Sequence, residues 1–296
     1  MQHLNSSNSS QTTHILPEKA LASCVLVLCF VLGVPSNIAV MVHLARRLKG
    51  HSFTPRLMLS LAVSDLLTLL SLPFWIWAFL YGWIFDVFLC KFFSYAVYWG
   101  LYCSVLCVIL MSVQRYMQVL HRQKWAKLGV SGQKILLSGM WMLSGVLGSY
   151  ALIQRSVSFG KDEQLQCRLH YRNDTEKVAT LFWETLMFVV SYLLLAYFYF
   201  YLYRGVNRSA FLKSQTMTKL VTRIVVAFLV FWVPFTINNI LVIAAVLLRN
   251  DKLLGFAEAV DNITAALIFI NSCVNPFLYA FSARTRQQQP VDAEST

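Results

Sequence analysis

"FLCKFFSYAVYWGLYCSVLCVILMSVQRYMQV", residues 88–119, decides the fold. No charge lies between Lys91 and Arg115. A helix needs about 20 mostly apolar residues to cross the hydrocarbon of a bilayer, and this run is longer. It stops abruptly at Gln114-Arg115, so a membrane-like helix ends in an arginine preceded by an amide rather than an acid. Six further runs have the same character: residues 20–45, 55–81, 133–153, 178–203, 218–247 and 258–281. The composition agrees. Of 296 residues, 57% are hydrophobic and 13% charged, and the mean hydropathy is +0.58. A soluble domain averages about 25% charged residues. The expected fold is an all-α membrane protein, a seven-transmembrane helix bundle set in the lipid bilayer.

Residues 1–19 are polar and lack the basic, apolar, small-residue order of a signal peptide. They carry glycosylation sequons at Asn5 and Asn8, and a third stands at Asn173 before the fifth run. Together with the charge bias below, these make an outside N-terminus the expectation, with residues 1–19 as an extracellular glycosylated tail. Seven spans then leave residues 282–296 as a short cytoplasmic tail. More Lys and Arg fall on the segments that this orientation puts inside, as the positive-inside bias requires. The net charge of +12 suits the cytoplasmic leaflet and calls for no nucleic-acid partner. Of seven cysteines only Cys90 and Cys167 sit at the outer surface. The exterior is oxidising, so they are expected to form a disulfide tying the loop before the fifth span across the mouth of the bundle.

Polar groups inside the spans are few. An acid at the bilayer centre costs about 2.5–3.5 kcal/mol on the insertion scale, so it usually faces the bundle interior. Asp65 lies mid-span, and Asn37, Ser104, Asn271 and Asn275 lie at comparable or somewhat inner depth on other spans. Asn271 and Asn275 are four apart and share a helix face. The five groups either form a structural hydrogen-bond cluster or enclose a small cation. Pro35, Pro73, Pro234 and Pro276 each free a backbone carbonyl and permit a kink.

These residues carry a resemblance. "LSLAVSDLL", Trp141, "FWVPF" and "NSCVNPFLYAF" look like the rhodopsin-like (class A) G-protein-coupled receptors. Asn275, Pro276 and Tyr279 stand as the seventh-span Asn-Pro-x-x-Tyr, and Trp232 and Pro234 as the sixth-span Trp-x-Pro. "QRY" stands where that family usually has Asp-Arg-Tyr. The resemblance implies that Arg115 and Tyr279 meet a heterotrimeric G protein, of the inhibitory class, at the cytoplasmic end of a multi-pass plasma-membrane protein. It implies a sixth helix that swings near Trp232 and Pro234, with the basic loop 204–219 beside the cleft. If the polar residues around Asp65 enclose a cation, an allosteric sodium ion near Asp65, Ser104 and Asn271 is the expectation, and no other cofactor is expected. Cys90 precedes Arg115 by about 38 Å of helix, enough to reach the other face.

Within that family the chain is most similar to the chemoattractant group, above all the leukotriene B4 receptors. The resemblance implies that Tyr102, Arg155, Glu184 and Asn239 line the ligand pocket, with Arg155 at the outer end of the fourth span. A fatty acid with two hydroxyls and a carboxylate needs apolar walls and a few placed polar groups. Phe92, Phe93, Tyr95, Tyr98, Trp99 and Phe235 are candidates for the walls, and Arg155 for a charge-assisted carboxylate clamp. Glu184 is expected to accept from a ligand hydroxyl or to hold Arg155 in the empty site. The sequence departs from the family at Gln114, at Tyr192 where a proline is usual, and in a tail after Phe281 without an amphipathic pattern. The alternatives are a chemoattractant receptor for a peptide or another lipid mediator, and a weakly signalling decoy. A retinal protein would need a lysine in residues 258–281, which hold none. No catalytic constellation stands out, so an enzyme is not expected.

Overall fold

The computed structural model describes residues 17–47, 53–160, 164–205 and 215–287. Asn5 and Asn8, the middle of the loop 204–219 and the end of the tail lie outside the described residues. In lipid a chain has no water to satisfy its backbone, and a helix does so within itself. Accordingly, seven stretches of spanning length are helical among the described residues: Ala20–Arg46, Phe53–Tyr81, Val87–Leu120, Gly129–Gln154, Asp174–Leu202, Thr218–Leu247 and Asp251–Ala280.

The elements are α1 (Pro17–Arg47), α2 (Phe53–Leu69), α3 (Leu72–Tyr81), α4 (Val87–Leu120), α5 (Arg122–Lys127), α6 (Gly129–Gly148) and α7 (Tyr150–Gln154). After a hairpin of β1 (Arg155–Phe159) and β2 (Leu165–Leu169) come α8 (Asp174–Gly205), α9 (Gln215–Leu247) and α10 (Asp251–Gln287). The second span is α2 plus α3, broken where Pro73 enters the first turn of α3. Pro73 has no N–H to give the Leu69 carbonyl four residues back, and at the same break the Ser71 hydroxyl donates to the Thr68 carbonyl at 2.8 Å. The fifth span, α8, runs through Tyr192 unbroken, and the Tyr192 and Thr236 hydroxyls bond at 2.7 Å. The seventh helix passes Phe281 and continues to Gln287.

Close packing between spans depends on small residues and on side chains that reach neighbouring backbones. A Cβ added at Gly100 would stand 2.8 Å from the Ser64 carbonyl oxygen, so the third span approaches the second where it has no side chain. Pro276 frees the Ser272 carbonyl four residues back, and Asn37 Nδ2 donates to it at 3.1 Å. Asn37 therefore joins the first and seventh spans through backbone; its bonds go to the Ser272 and Gly33 carbonyls and not to the Asp65 carboxylate. The main core runs through Leu57, Met111, Phe228 and Trp232, between the second, third and sixth spans.

The loop expected before the fifth span is a β-hairpin. β1 and β2 pair antiparallel, with Val157 opposite Cys167. Cys167 is disulfide-bonded to Cys90, Cα to Cα 5.7 Å, which pins the hairpin to the start of the third span. The Trp83 N–H donates to the Leu165 carbonyl and fixes the other side. Asn173 is exposed, and its Oδ1 caps α8 by accepting from the Glu176 N–H at 2.8 Å.

Candidate functional site

A cavity of about 290 Å³ opens beneath the hairpin. Its walls come from six of the spans and from Cys167, and Trp232 forms part of them. Arg155 is the first residue of β1, one position beyond the end of the fourth span where the sequence placed it. That step matters, because a strand directs the side chain under the hairpin. The guanidinium Nη1 donates to the Cys167 carbonyl at 3.1 Å. Its carbon lies 5.7 Å from the Trp75 ring centroid and 5.8 Å from that of Tyr98. Both are within cation–π range. Its Nε is buried with no partner.

Glu184 is 3% exposed and lines the same cavity. One carboxylate oxygen accepts from the Tyr150 hydroxyl, and the other from Asn239 Nδ2 at 3.4 Å. The expectation that Glu184 holds Arg155 in the empty site is therefore corrected: the acid is held by the fourth and sixth spans. Asn239 is buried behind Glu184 and is not among the residues of the cavity wall.

Tyr102 and Phe235 line the cavity as expected. The Tyr102 ring lies nearly parallel to that of Phe188, which in turn packs against Trp232 at 4.6 Å. Of the other aromatic candidates only Tyr98 reaches the cavity. Phe92 is 50% exposed on the outside of the bundle. Phe93 stacks on Phe74 at 4.0 Å. Tyr95 packs beside Trp99, whose indole donates to the Trp141 carbonyl on the fourth span. Sequence reasoning missed Trp75 and Tyr150. Trp75 follows Pro73, and the bend there was its available signal; nothing in the sequence singled out Tyr150. Beyond Arg155 the cavity reaches small and apolar residues of the first and seventh spans, Ala22, Leu26, Ala265 and Ala266.

Deeper in the bundle Asp65 is fully buried, and its Oδ2 accepts from Asn275 Nδ2 at 2.9 Å. Asp65 Oδ1, Ser104 Oγ, Asn271 Oδ1 and Asn275 Oδ1 are buried without partners. Hard oxygen donors of this kind suit a small alkali cation. Among the described residues no group of three or more His, Cys, Asp or Glu is placed to hold a metal.

At the end of the bundle opposite the hairpin, Gln114 is 0% and Arg115 6% exposed. Gln114 Nε2 donates to the Thr54 hydroxyl at 2.8 Å, and Arg115 Nη2 to the same oxygen at 3.1 Å. Tyr279 packs edge-on to His43, ring centroids 6.4 Å apart.

Residues 36–279 match the family model for the 7 transmembrane receptor (rhodopsin family). The chain is 29% identical over 291 residues to the G-protein coupled receptor E1 of Equine herpesvirus 2 (strain 86/87), covering 92% of this chain and 73% of that one. It is 28% identical over 263 residues to the human C-X-C chemokine receptor type 1, covering 86% and 74%. It is 28% identical over 267 residues to the human leukotriene B4 receptor 1, covering 88% and 76%.

Proposed function

The chain belongs to the rhodopsin family of seven-transmembrane receptors, and on that premise we propose that its ligand is an amphipathic lipid acid, with leukotriene B4 the first to test. It is a plasma-membrane G-protein-coupled receptor of the chemoattractant-receptor type, a signalling protein and not an enzyme.

In this reading the hairpin end faces the exterior and the cavity beneath it takes the ligand. Arg155 grips the carboxylate. Its fork is already braced by the Cys167 carbonyl and two aromatic faces, so little ordering is left for binding to supply. The hydrocarbon lies along Leu26, Ala22 and Ala266. Tyr102 and Glu184 meet the hydroxyls; each Glu184 oxygen keeps acceptor capacity beyond its present bond. Asn239 orients Glu184. A sodium ion near Asp65, Ser104 and Asn271 favours the resting packing. Ligand binding favours another, with the sixth helix moving about Trp232 and Pro234, and Arg115 and Tyr279 then engage an inhibitory-class G protein. Asn173 carries a glycan on the outer face.

The observation that carries the ligand reading is Arg155, a cation in a largely apolar cavity with a buried Nε that lacks a partner. A second reading is a peptide ligand, favoured by the equal similarity to a C-X-C chemokine receptor. Saturation binding of tritiated leukotriene B4 to membranes, competed by the free acid, by its methyl ester and by a C-X-C chemokine, separates the two. The lipid reading expects the acid to compete and the ester to fail. Displacement by the chemokine with no saturable lipid binding would replace it with the peptide reading.

A further inference from the structure

The arginine that ends the third span lacks the acid that its relatives' motif would place beside it, yet it is buried. What holds it there is readable from the hydrogen bonds. The Gln114 side chain has one atom able to accept a bond, Oε1, and that atom is buried with no partner. Gln114 therefore does not hold Arg115. Its amide nitrogen points across to the second span, to the hydroxyl of Thr54. Arg115 Nη2 reaches the same hydroxyl, 3.1 Å away. Thr54 is itself 4% exposed, in the first turn of α2. A hydroxyl oxygen has two acceptor positions, and here two donors from adjacent residues of one helix occupy both.

We infer that Thr54 is the positioning residue for Arg115: a neutral acceptor on the second span that keeps the arginine folded against the bundle and away from the G protein in the resting receptor. The inference rests on the reading that Arg115 engages the G protein. Gln114 has a supporting part. By occupying one acceptor position it fixes the threonine rotamer and turns the other toward Arg115. The bond from a guanidinium is charge-assisted and stronger than one between neutral groups, but among the described residues no carboxylate is bonded to the cation. Among the described residues the restraint is the bond to the Thr54 side chain on another helix. Activation has to break it, and only relative movement of the second and third spans or a change of the Arg115 rotamer does so.

This assigns the hydroxyl a role that packing at the same position does not have. Thr54→Val keeps the branched shape and removes both acceptor positions. Thr54→Ser keeps the oxygen and loses a methyl group. Thr54→Ala serves where the valine variant fails to reach the membrane. Gln114→Asp supplies an acceptor beside Arg115 that does not depend on residue 54.

The test is ligand-free nucleotide exchange on a purified inhibitory-class G protein, per receptor, in membranes holding each variant. Thr54→Val and Thr54→Ala are expected to raise the basal rate about three- to ten-fold, since about 1.4 kcal/mol of lost restraint is a factor of ten. Thr54→Ser is expected to match the wild type. Gln114→Asp with Thr54→Val is expected to return toward the wild-type rate, which a packing defect would not do. The inference is overturned if removing the hydroxyl leaves the basal rate unchanged or lowers it, or if the double variant stays as active as Thr54→Val. Arg115→Ala in the same assay separates this from the parent reading. If Arg115→Ala retains exchange driven by leukotriene B4, the role of Arg115 itself falls. If it abolishes that exchange while Thr54→Val leaves the basal rate unchanged, only the Thr54 latch falls.

Discussion

Arg155 shows how much one position on the chain decides. As the last residue of a helix it would have lain at the membrane surface, free to extend its head into water. As the first residue of β1 it turns under the hairpin, where the Cys167 carbonyl and the rings of Trp75 and Tyr98 hold it. A hydrogen bond to a charged group contributes about 1.5–3 kcal/mol. Arg155→Ala is therefore expected to weaken leukotriene B4 by that amount, roughly ten-fold to more than a hundred-fold. Arg155→Lys should recover part of it, because an ammonium keeps the charge but neither the fork nor the stacking. Saturation isotherms at matched surface expression measure both; an isotherm unchanged in the alanine variant would remove the clamp. At Glu184 the sequence identified the acid but not its partners. Tyr150 and Asn239 became visible only once the fourth and sixth spans were packed against the fifth.

At the scale of elements, the proline carbonyls have a specific accounting. Pro276 leaves the Ser272 carbonyl without its helical donor, and Asn37 on the first span provides one. Asn37→Leu should lower unfolding stability by about 1–2 kcal/mol, within the range for a buried polar group left without its bond in a membrane bundle. In a Pro276→Ala background the helix regains its own donor, and the same substitution should cost much less. Thermal unfolding of the four purified proteins gives the coupling; equal losses in both backgrounds would mean that Asn37 acts elsewhere. The helical elements were legible because lipid leaves a long apolar run few other structures. The hairpin was not read, although Val157, Phe159, Leu165, Cys167 and Leu169 alternate as strands do. Nor was it legible which face of the third span turns inward. Lipid and core are equally apolar, so Phe92, Tyr95 and Trp99 carry no pattern that separates them from Tyr98 and Tyr102.

Across the whole molecule the three polar places lie in series: Arg155 and Glu184 beneath the hairpin, Asp65 at mid-depth, and Thr54 with Arg115 at the far end. They communicate only if each ligand distinguishes between packings of the same spans. Sodium bound at the unpartnered oxygens of Asp65, Ser104 and Asn271 should favour the resting packing, and linkage then requires agonist affinity to fall as sodium rises. Replacing a bulky organic cation with sodium at constant ionic strength should show this in the wild type. Asp65→Asn should abolish it, and a wild-type affinity indifferent to sodium would rule the ion out. The central claim, that a lipid acid bound at Arg155 drives a G protein, has a more direct test. Purified receptor in lipid discs is mixed with an inhibitory-class heterotrimer, and nucleotide exchange is followed as leukotriene B4 or its methyl ester is added. The account predicts saturable acceleration by the acid, little by the ester, and loss of the acid's effect in Arg155→Ala. Exchange that ignores the acid and responds instead to a C-X-C chemokine would contradict it.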